Sequence, residues 1–451
     1  MKLMHVLRAA FVTGLIGSSL ATILLQSQQR SLAFTHLTVI DGTGTAPTNE
    51  TTVIVSGDRI IARGQTGRVP VPDGAVVVDA TGKFLIPGLW DMHVHSFSYE
   101  NGRKFLPRLL AYGITGVRDM ASSVDDVLRL KREAAEGAVL APQMIVAGPI
   151  LQGPLPFQLP PHVRTVTDEE AKPVVAAIVA KGVDFIKVGD TLTRAAYFGI
   201  ADESRRLGVP FAGHLTPTVT VSEAARAGQR SIEHFGSAGF RNILVACSTS
   251  EREFNADLQK ALETFRAGGE SPDSTVYRAD FMTRLVESYD VQKAATLFAL
   301  LAESGTWQVP TFVALQDAWN NAKKKLSASD AAAGERVARR TIEMFAAMRA
   351  AGVRILAGSD LASAGVPALH DELVSLVNAG MTSMEALQAA TRSPADFLGR
   401  LPTEGTIEVG KKANLVLLDA SPLVDIRNTR RVSMVVLAGK LLQEADLQKI
   451  R

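Results

Sequence analysis

Apolar and polar positions alternate along this chain in two different rhythms. From Leu32 to Phe84 the apolar runs are short and strand-like, LAFTHLTVIDG, TTVIVSGDRIIARG and AVVVDATGKFLIPG, with Gly, Pro and Asp between them. Ser56-Gly57-Asp58-Arg59 reads as a hairpin turn joining two of these runs. The same rhythm returns at the far end, in TIEVGKKANLVLLDA and RRVSMVVLAGKLL. Each terminal piece is too small to bury a core of its own. The pattern therefore predicts that residues 30–87 and 400–451 pair into one discontinuous β-sandwich domain.

Between them, over residues 88–399, apolar strand-like runs alternate with helical patterns of period 3.6 such as VDDVLRLKREAAEG and TRAAYFGIADESRRLG. The predicted strands are Leu89 to His95, Ile114 to Arg118, Gln143 to Ala147, Asp184 to Val188, Val209 to His214, Arg230 to His234, Trp307 to Phe312 and Val353 to Gly358. Several helical segments end in Gly, at Gly137, Gly182, Gly208, Gly228 and Gly352, as a left-handed cap before the next strand requires. Eight strands alternating with helices predict an α/β fold, a (β/α)8 TIM barrel. Gly148 to Pro161 and Phe235 to Ser304 break the rhythm after the third and sixth strands. Both read as loops on the C-terminal face, where substrate pockets form.

The leader has its own pattern: basic MKLMHVLR, the uncharged apolar run Ala9 to Leu25, then polar QSQQR. Residues 1–29 read as a signal peptide or N-terminal anchor. The expected location is periplasmic or secreted, or membrane-tethered through the N-terminus. Basic residues are dispersed and the net charge is only +2, which argues against nucleic acid as a partner. A single cysteine, Cys247, excludes an intrachain disulfide and a Cys-rich zinc site.

Any metal must therefore be held by His, carboxylates or something rarer, and those residues gather at strand ends. His93 and His95 in PGLWDMHVHS lie two apart on a strand, so both side chains reach one side. Lys187 in FIKV, His214 in GHL, His234 in IEH and Asp360 in GSD follow at the ends of strands four, five, six and eight. A barrel brings all six to one rim. Lys187 has two readings. It pairs with a carboxylate such as Asp184 or Asp190, or it loses its proton on burial and reacts with carbon dioxide to give a carbamate that ligates metal.

These motifs, with the leading β-piece and the closing GTIEVGKKANLVLLDA, resemble the amidohydrolase superfamily of binuclear metal hydrolases over Leu32 to Leu442. The chain is most similar to the branch with imidazolonepropionase-like proteins, Xaa-Pro dipeptidases and ochratoxin-type carboxypeptidase amidohydrolases. The resemblance implies a first divalent metal on His93, His95, Lys187 and Asp360, and a second on Lys187, His214 and His234, with Lys187 carbamylated by carbon dioxide. Zinc suits such ligands best, and manganese, iron and cobalt share them. A metal-bridging hydroxide would attack the carbonyl, with Asp360 as the catalytic proton carrier.

The implied activity is hydrolysis of a small amide, a dipeptide or N-acyl amino acid, by a homo-oligomer. The alternatives are a lactonase or cyclic-amide hydrolase with the same site, or a non-catalytic metal-binding barrel. Four residues are candidate substrate contacts. His370 in PALHDELVSL orients a leaving group or else caps and packs; Arg118 meets a substrate carboxylate or else braces the rim with Asp119. His162 and Phe157 lie in the Pro-rich stretch, where Phe157 and Leu159 would favour a bulky apolar group and His162 is otherwise solvated. Asp91 reads as a brace for an imidazole or a neighbouring loop.

Overall fold

A computed structural model describes residues 30–97, 102–236, 241–360 and 368–451. The leader read as a signal peptide or anchor lies outside the described residues. Among those described, no helix is long and apolar enough to cross a membrane.

The N-terminal strands are β1 (Leu32–Val39), β2 (Thr48–Ser56), β3 (Arg59–Gln65), β4 (Val76–Asp79) and β5 (Phe84–Pro87). The middle of the chain adds β6 (Leu89–Val94), β7 (Ile114–Asp119), β8 (Gln143–Val146), β9 (Ile150–Gln152), β10 (Val163–Thr165), β11 (Ile186–Val188), β12 (Phe211–Gly213), β13 (Ser231–Glu233) and β14 (Trp307–Val309). Near the end come β15 (Leu415–Leu418), β16 (Val432–Leu437) and β17 (Lys440–Leu442).

The two chain ends do meet. β15 pairs antiparallel with β5, Val416 opposite Ile86, and this joins the terminal strands in the order β17-β16-β15-β5-β1-β2-β3, with β4 beside β1. A sandwich was expected; the strands hydrogen-bond as one continuous eight-stranded sheet. Alternate residues such as Phe34, Leu85, Leu415 and Leu417 share a buried cluster of their own, as strand periodicity demands.

The middle strands are parallel and form two sheets, β6-β7-β8 and β10-β9-β11-β12-β13-β14. Their inner residues, among them Trp90, Met92, Ile145, Phe185 and Trp307, form a compact apolar cluster, while helices cover the outside. Thus the molecule is a mixed α/β fold. All five glycines predicted to cap helices are left-handed, with φ of +76° at Gly137, +97° at Gly182, +69° at Gly208, +89° at Gly228 and +84° at Gly352.

Two predictions of extent need correction. Residues 353–358 make only an isolated bridge, Ile355 with Gln308, rather than a strand. The backbone explains why. Met92 N–H donates to Ala357 O (2.9 Å), but Ala357 N–H and Trp90 N–H turn instead to Ala389 and Ala390 at the end of helix Ser383–Ala389. The other correction concerns Phe235 to Ser304, which among the described residues carries five α-helices: Asn242–Ala246, Glu251–Arg266, Asp273–Val276, Ala279–Glu287 and Val291–Ser304. The Pro-rich stretch likewise contributes β9, which pairs with β11.

Candidate active site

At the C-terminal ends of the parallel strands, three histidines converge on one carboxylate. Asp360 Oδ1 lies 2.9 Å from His95 Nε2 and 3.3 Å from His93 Nε2, and its Oδ2 lies 3.6 Å from His234 Nε2. The ring of His214 is 5.1 Å from that of His234, which is 4.8 Å from that of His93. Lys187 stands on β11, fully buried, in register with Ala212 of the strand that leads to His214. The structure thus gathers all six residues singled out as ligands.

Local backbone geometry creates this meeting. His234, Phe235, Thr311 and Asp360 are all left-handed, with φ between +50° and +57°, at the ends of three successive strand positions. Such conformations cost non-glycine residues of order 1–3 kcal/mol each and cluster where function holds them. At Gly358, a Cβ would meet His93 Cβ at 2.8 Å and Val309 at 2.7 Å, so only glycine lets this segment approach the histidine strand.

Outer hydrogen bonds orient the rings. His93 Nδ1–H donates to Glu233 Oε2 (2.8 Å), leaving the lone pair on Nε2. Glu233 is in turn gripped by both terminal contacts of Arg118 Nη2, at 2.9 and 3.0 Å, and by Ser231 Oγ at 2.6 Å. The Thr311 hydroxyl donates to Pro310 O (2.8 Å), so its oxygen accepts from His234 Nδ1 and again frees Nε2. Asp91 braces from below, accepting from His93 N–H (3.2 Å), Ser359 N–H (2.9 Å) and Ser359 Oγ (2.6 Å).

Three buried nitrogens in this ring of polar groups make no hydrogen bond among the described residues: His93 Nε2, His214 Nδ1 and Lys187 Nζ. Orphaned polar atoms are costly and rare in a core, so they mark the place of a ligand. Burial, reinforced by the charge of Lys187, pushes His93 and His214 well below the usual imidazole range. Burial also lowers His234, although Asp360 opposes it. The same desolvation drops Lys187 to about 8, against the pull of Glu233 and Asp360. Asp360 is the exception: burial works against its charge, but His234, His95 and Lys187 outweigh it and hold the carboxyl below its ordinary value. Neutral imidazoles, a readily deprotonated amine and an anionic carboxylate are what a divalent cation needs. His93, His95 and Asp360 already stand close enough to share one ion.

The carboxylate-pairing alternative for Lys187 is not what forms. Asp184 binds Lys131 Nζ at 2.6 and 2.7 Å, and Asp190 accepts from Gln152 (3.1 Å) while lying 3.8 Å from His214. Two proposed substrate contacts are also corrected. Arg118 is 1% exposed and committed to Glu233, Ser231 and Met92 O (2.7 Å) beneath the histidines. It does not pair with Asp119, which faces the other way and accepts from Ser96 N–H (2.8 Å). His370 is fully buried between Thr429 Oγ1 (2.9 Å) and Tyr112 O (3.1 Å), a packing role away from the site. His162 is half-buried and close enough to His95 for its charge to be felt. Phe157 is 51% exposed and packs edge-on against Phe265, 5.7 Å away.

Comparison with known proteins points the same way. A family model for the amidohydrolase family matches residues 84–442. Imidazolonepropionase from Caulobacter vibrioides is 24% identical over 374 residues, 80% of this chain and 86% of that protein. Ochratoxinase from Aspergillus niger is 34% identical over 97 residues, 21% of this chain and 20% of its own. Among solved structures, a Xaa-Pro dipeptidase with bound methionine superposes with a TM-score of 0.68 at 20% identity, covering 92% of this chain and 100% of that one. The A. niger ochratoxinase structure gives a TM-score of 0.66 at 19% identity over 92% of this chain and 96% of its own. With four-fifths of its length inside the family model and its ligand-type residues at the ends of parallel strands, the chain belongs to the amidohydrolase family, hydrolases that act on carbon–nitrogen bonds.

Proposed function

We propose that this protein is a binuclear metal-dependent amidohydrolase that cleaves the amide bond of a dipeptide or N-acyl amino acid. The observation that carries the reading is the trio of buried, unbonded nitrogens on His93, His214 and Lys187 around Asp360. His93, His95, Lys187 and Asp360 would hold one ion, and Lys187, His214 and His234 a second; zinc fits this nitrogen and oxygen set. When bound, such a pair polarises a carbonyl and lowers the pKa of water towards neutrality.

The protein's own groups do the rest. Lys187, whose ammonium is destabilised by burial, first gives up one proton; the neutral amine then forms a C–N bond with carbon dioxide and releases a second, ending as an anionic carbamate oxygen donor. Asp360, held ionised, accepts the proton of the attacking water on a carboxylate oxygen and hands it to the departing nitrogen. Glu233 and Thr311 fix the rings of His93 and His234 so that neither has to reorient during turnover. His162, close enough to His95 to feel its charge, is the candidate substrate contact on this side.

Supporting a (β/α)8 barrel are the seams between the parallel sheets: Asp184 N–H to Val146 O (2.8 Å), Leu356 N–H to Gln308 O (2.9 Å) and Asp360 N–H to His93 O (2.8 Å). We read residues 88–399 as that barrel, 30–87 with 400–451 as a second domain, and 1–29 as an export leader or tether on a homo-oligomer. The direct test is a panel of dipeptides and N-acyl amino acids. Hydrolysis that a chelator abolishes and zinc restores is expected. Two bound ions with no turnover of any amide or ester would leave only a metal-binding barrel.

A further inference from the structure

A cavity of about 290 Å³ opens beside helix Phe312–Lys323, which follows Thr311. Its inner wall is Phe312, the residue after the one that holds His234, and the Phe312 ring packs 5.6 Å from that of Phe235, the residue after His234 itself. Phe312 therefore follows directly on Thr311, the residue that holds the His234 ring. Leu315 and Trp319 on helix Phe312–Lys323 and Tyr277 opposite complete an apolar, aromatic lining, with the Tyr277 and Trp319 rings 6.3 Å apart. The volume is at the lower end for small-ligand sites, roughly 300–1,000 Å³, and suits one amino-acid-sized group.

The seat for the indole is built. Helix Ala328–Ala350 places Gly334 beneath it, and a Cβ there would lie 2.0 Å from Trp319 Cη2. Glycine inside a helix costs about 1 kcal/mol against alanine, so the sequence accepts a weaker helix to keep Trp319 in this wall.

Two arginines line the cavity: Arg339 is exposed at the rim, and Arg241 is the more buried of the two. Arg241 lies 5.4 Å from the Tyr277 ring centroid; its Nε is buried without a hydrogen bond, and the guanidinium makes no ion pair among the described residues. Asp273 is felt electrostatically but stands beyond ion-pair distance, and the rim carboxylate Glu335 is taken by Lys323 at 2.6 Å. A planar fork of donors left open against aromatic walls matches a carboxylate attached to an apolar group.

We propose that this cavity is the specificity pocket for the carboxylate-bearing half of the substrate: an aromatic or branched amino-acid side chain lies against Phe312 and Trp319, and the free carboxylate pairs with Arg241. The assignment rests on the hydrolase reading above and narrows it to substrates ending in a bulky apolar residue.

The test uses 3-phenylpropanoate, which has no hydrolysable bond, and 3-phenylpropan-1-ol, which lacks the charge. Trp90 and Trp307 are buried in the core, so Trp319 is the tryptophan whose fluorescence reports this pocket. In the full-length protein the acid should give a saturable change and bind at least ten-fold more tightly than the alcohol. In Arg241→Met the two should bind alike, and in Arg241→Lys the preference should shrink but survive. Trp319→Phe should erase the signal. No saturable change, equal binding of acid and alcohol in the wild type, or a signal that persists in Trp319→Phe would each overturn the pocket. Turnover of the amide panel is read separately: acid binding without hydrolysis sinks the enzyme reading alone, and hydrolysis without acid binding sinks the pocket alone.

Discussion

Arg118 and Lys187 are both basic, both fully buried among the parallel strands, and treated in opposite ways. Arg118 donates to Met92 O, to Ser231 and to both oxygens of Glu233, and its guanidinium sits between the rings of Phe185 and Phe397, 5.6 and 5.2 Å from their centroids. Lys187 Nζ, at the level of the histidines, makes no hydrogen bond among the described residues. The floor of the site is thus a saturated network, and the layer above it is a set of donors and lone pairs kept open. A saturated buried network rigidifies; an open one at this depth is tolerated only where something binds. The boundary between structure and chemistry runs between Glu233 and His93.

The largest effect should come from the open layer. Asp360→Asn keeps the shape of the site but removes the proton acceptor, and kcat should fall about 10²–10⁴-fold while metal stays bound. Steady-state rates alongside elemental analysis check both halves; near wild-type turnover would take Asp360 out of the role.

Cutting the link between the layers comes next. Glu233→Gln leaves Arg118 buried without its counter-charge, which should cost about 3–5 kcal/mol of stability. Because the same carboxylate orients His93, metal affinity should drop about 10–100-fold. Chelator competition and urea unfolding measure the two separately. Loss of stability with unchanged metal affinity would show that the floor does not act on the site.

Glu372 lies between these extremes, with Oε2 accepting from Val313 N–H (2.9 Å) and Oε1 buried without a hydrogen bond among the described residues. Burial raises its carboxyl from 4.5 to about 8. The folded chain therefore keeps a proton that the unfolded chain releases above pH 4.5. Wild-type stability from this group is full below pH 4.5 and declines by up to about 1.4 kcal/mol per pH unit as pH rises through 8. Glu372→Gln removes that decline, so its unfolding midpoint should gain on the wild type between pH 5 and 8. A constant offset would mean the group is ionised throughout.

The smallest change belongs to a side chain already saturated and remote from the site. His370→Ala breaks two hydrogen bonds and should cost about 1–3 kcal/mol of stability with KM unchanged. A raised KM would return His370 to the site.

The positions of the metal-type residues were legible because His, Lys and Asp are conspicuous at the ends of apolar strands. Their support was not. Glu233 precedes His234, and in a regular strand neighbours face opposite sides, so nothing marked them as partners in one site. The left-handed turn at His234, φ +54°, breaks that alternation. A signal was available in Ser231 and Glu233, two polar residues at strand spacing in a fully buried strand. The same alternation sends Arg118 inward and Asp119 elsewhere, which is why they do not pair. The segment from Phe235 to Ser304 broke the one-helix-per-strand rhythm and so read as a loop. Yet Phe254, Leu258 and Leu262, buried at helical spacing within Glu251–Arg266, show that its period was visible.

The most direct test of the open layer is metal content per chain, measured on the wild type and on Lys187→Ala, each purified with and without bicarbonate. The account predicts two divalent ions per wild-type chain in bicarbonate and at most one in Lys187→Ala, with amide hydrolysis lost. A wild type that binds none, or a Lys187→Ala chain that still holds two, would contradict it.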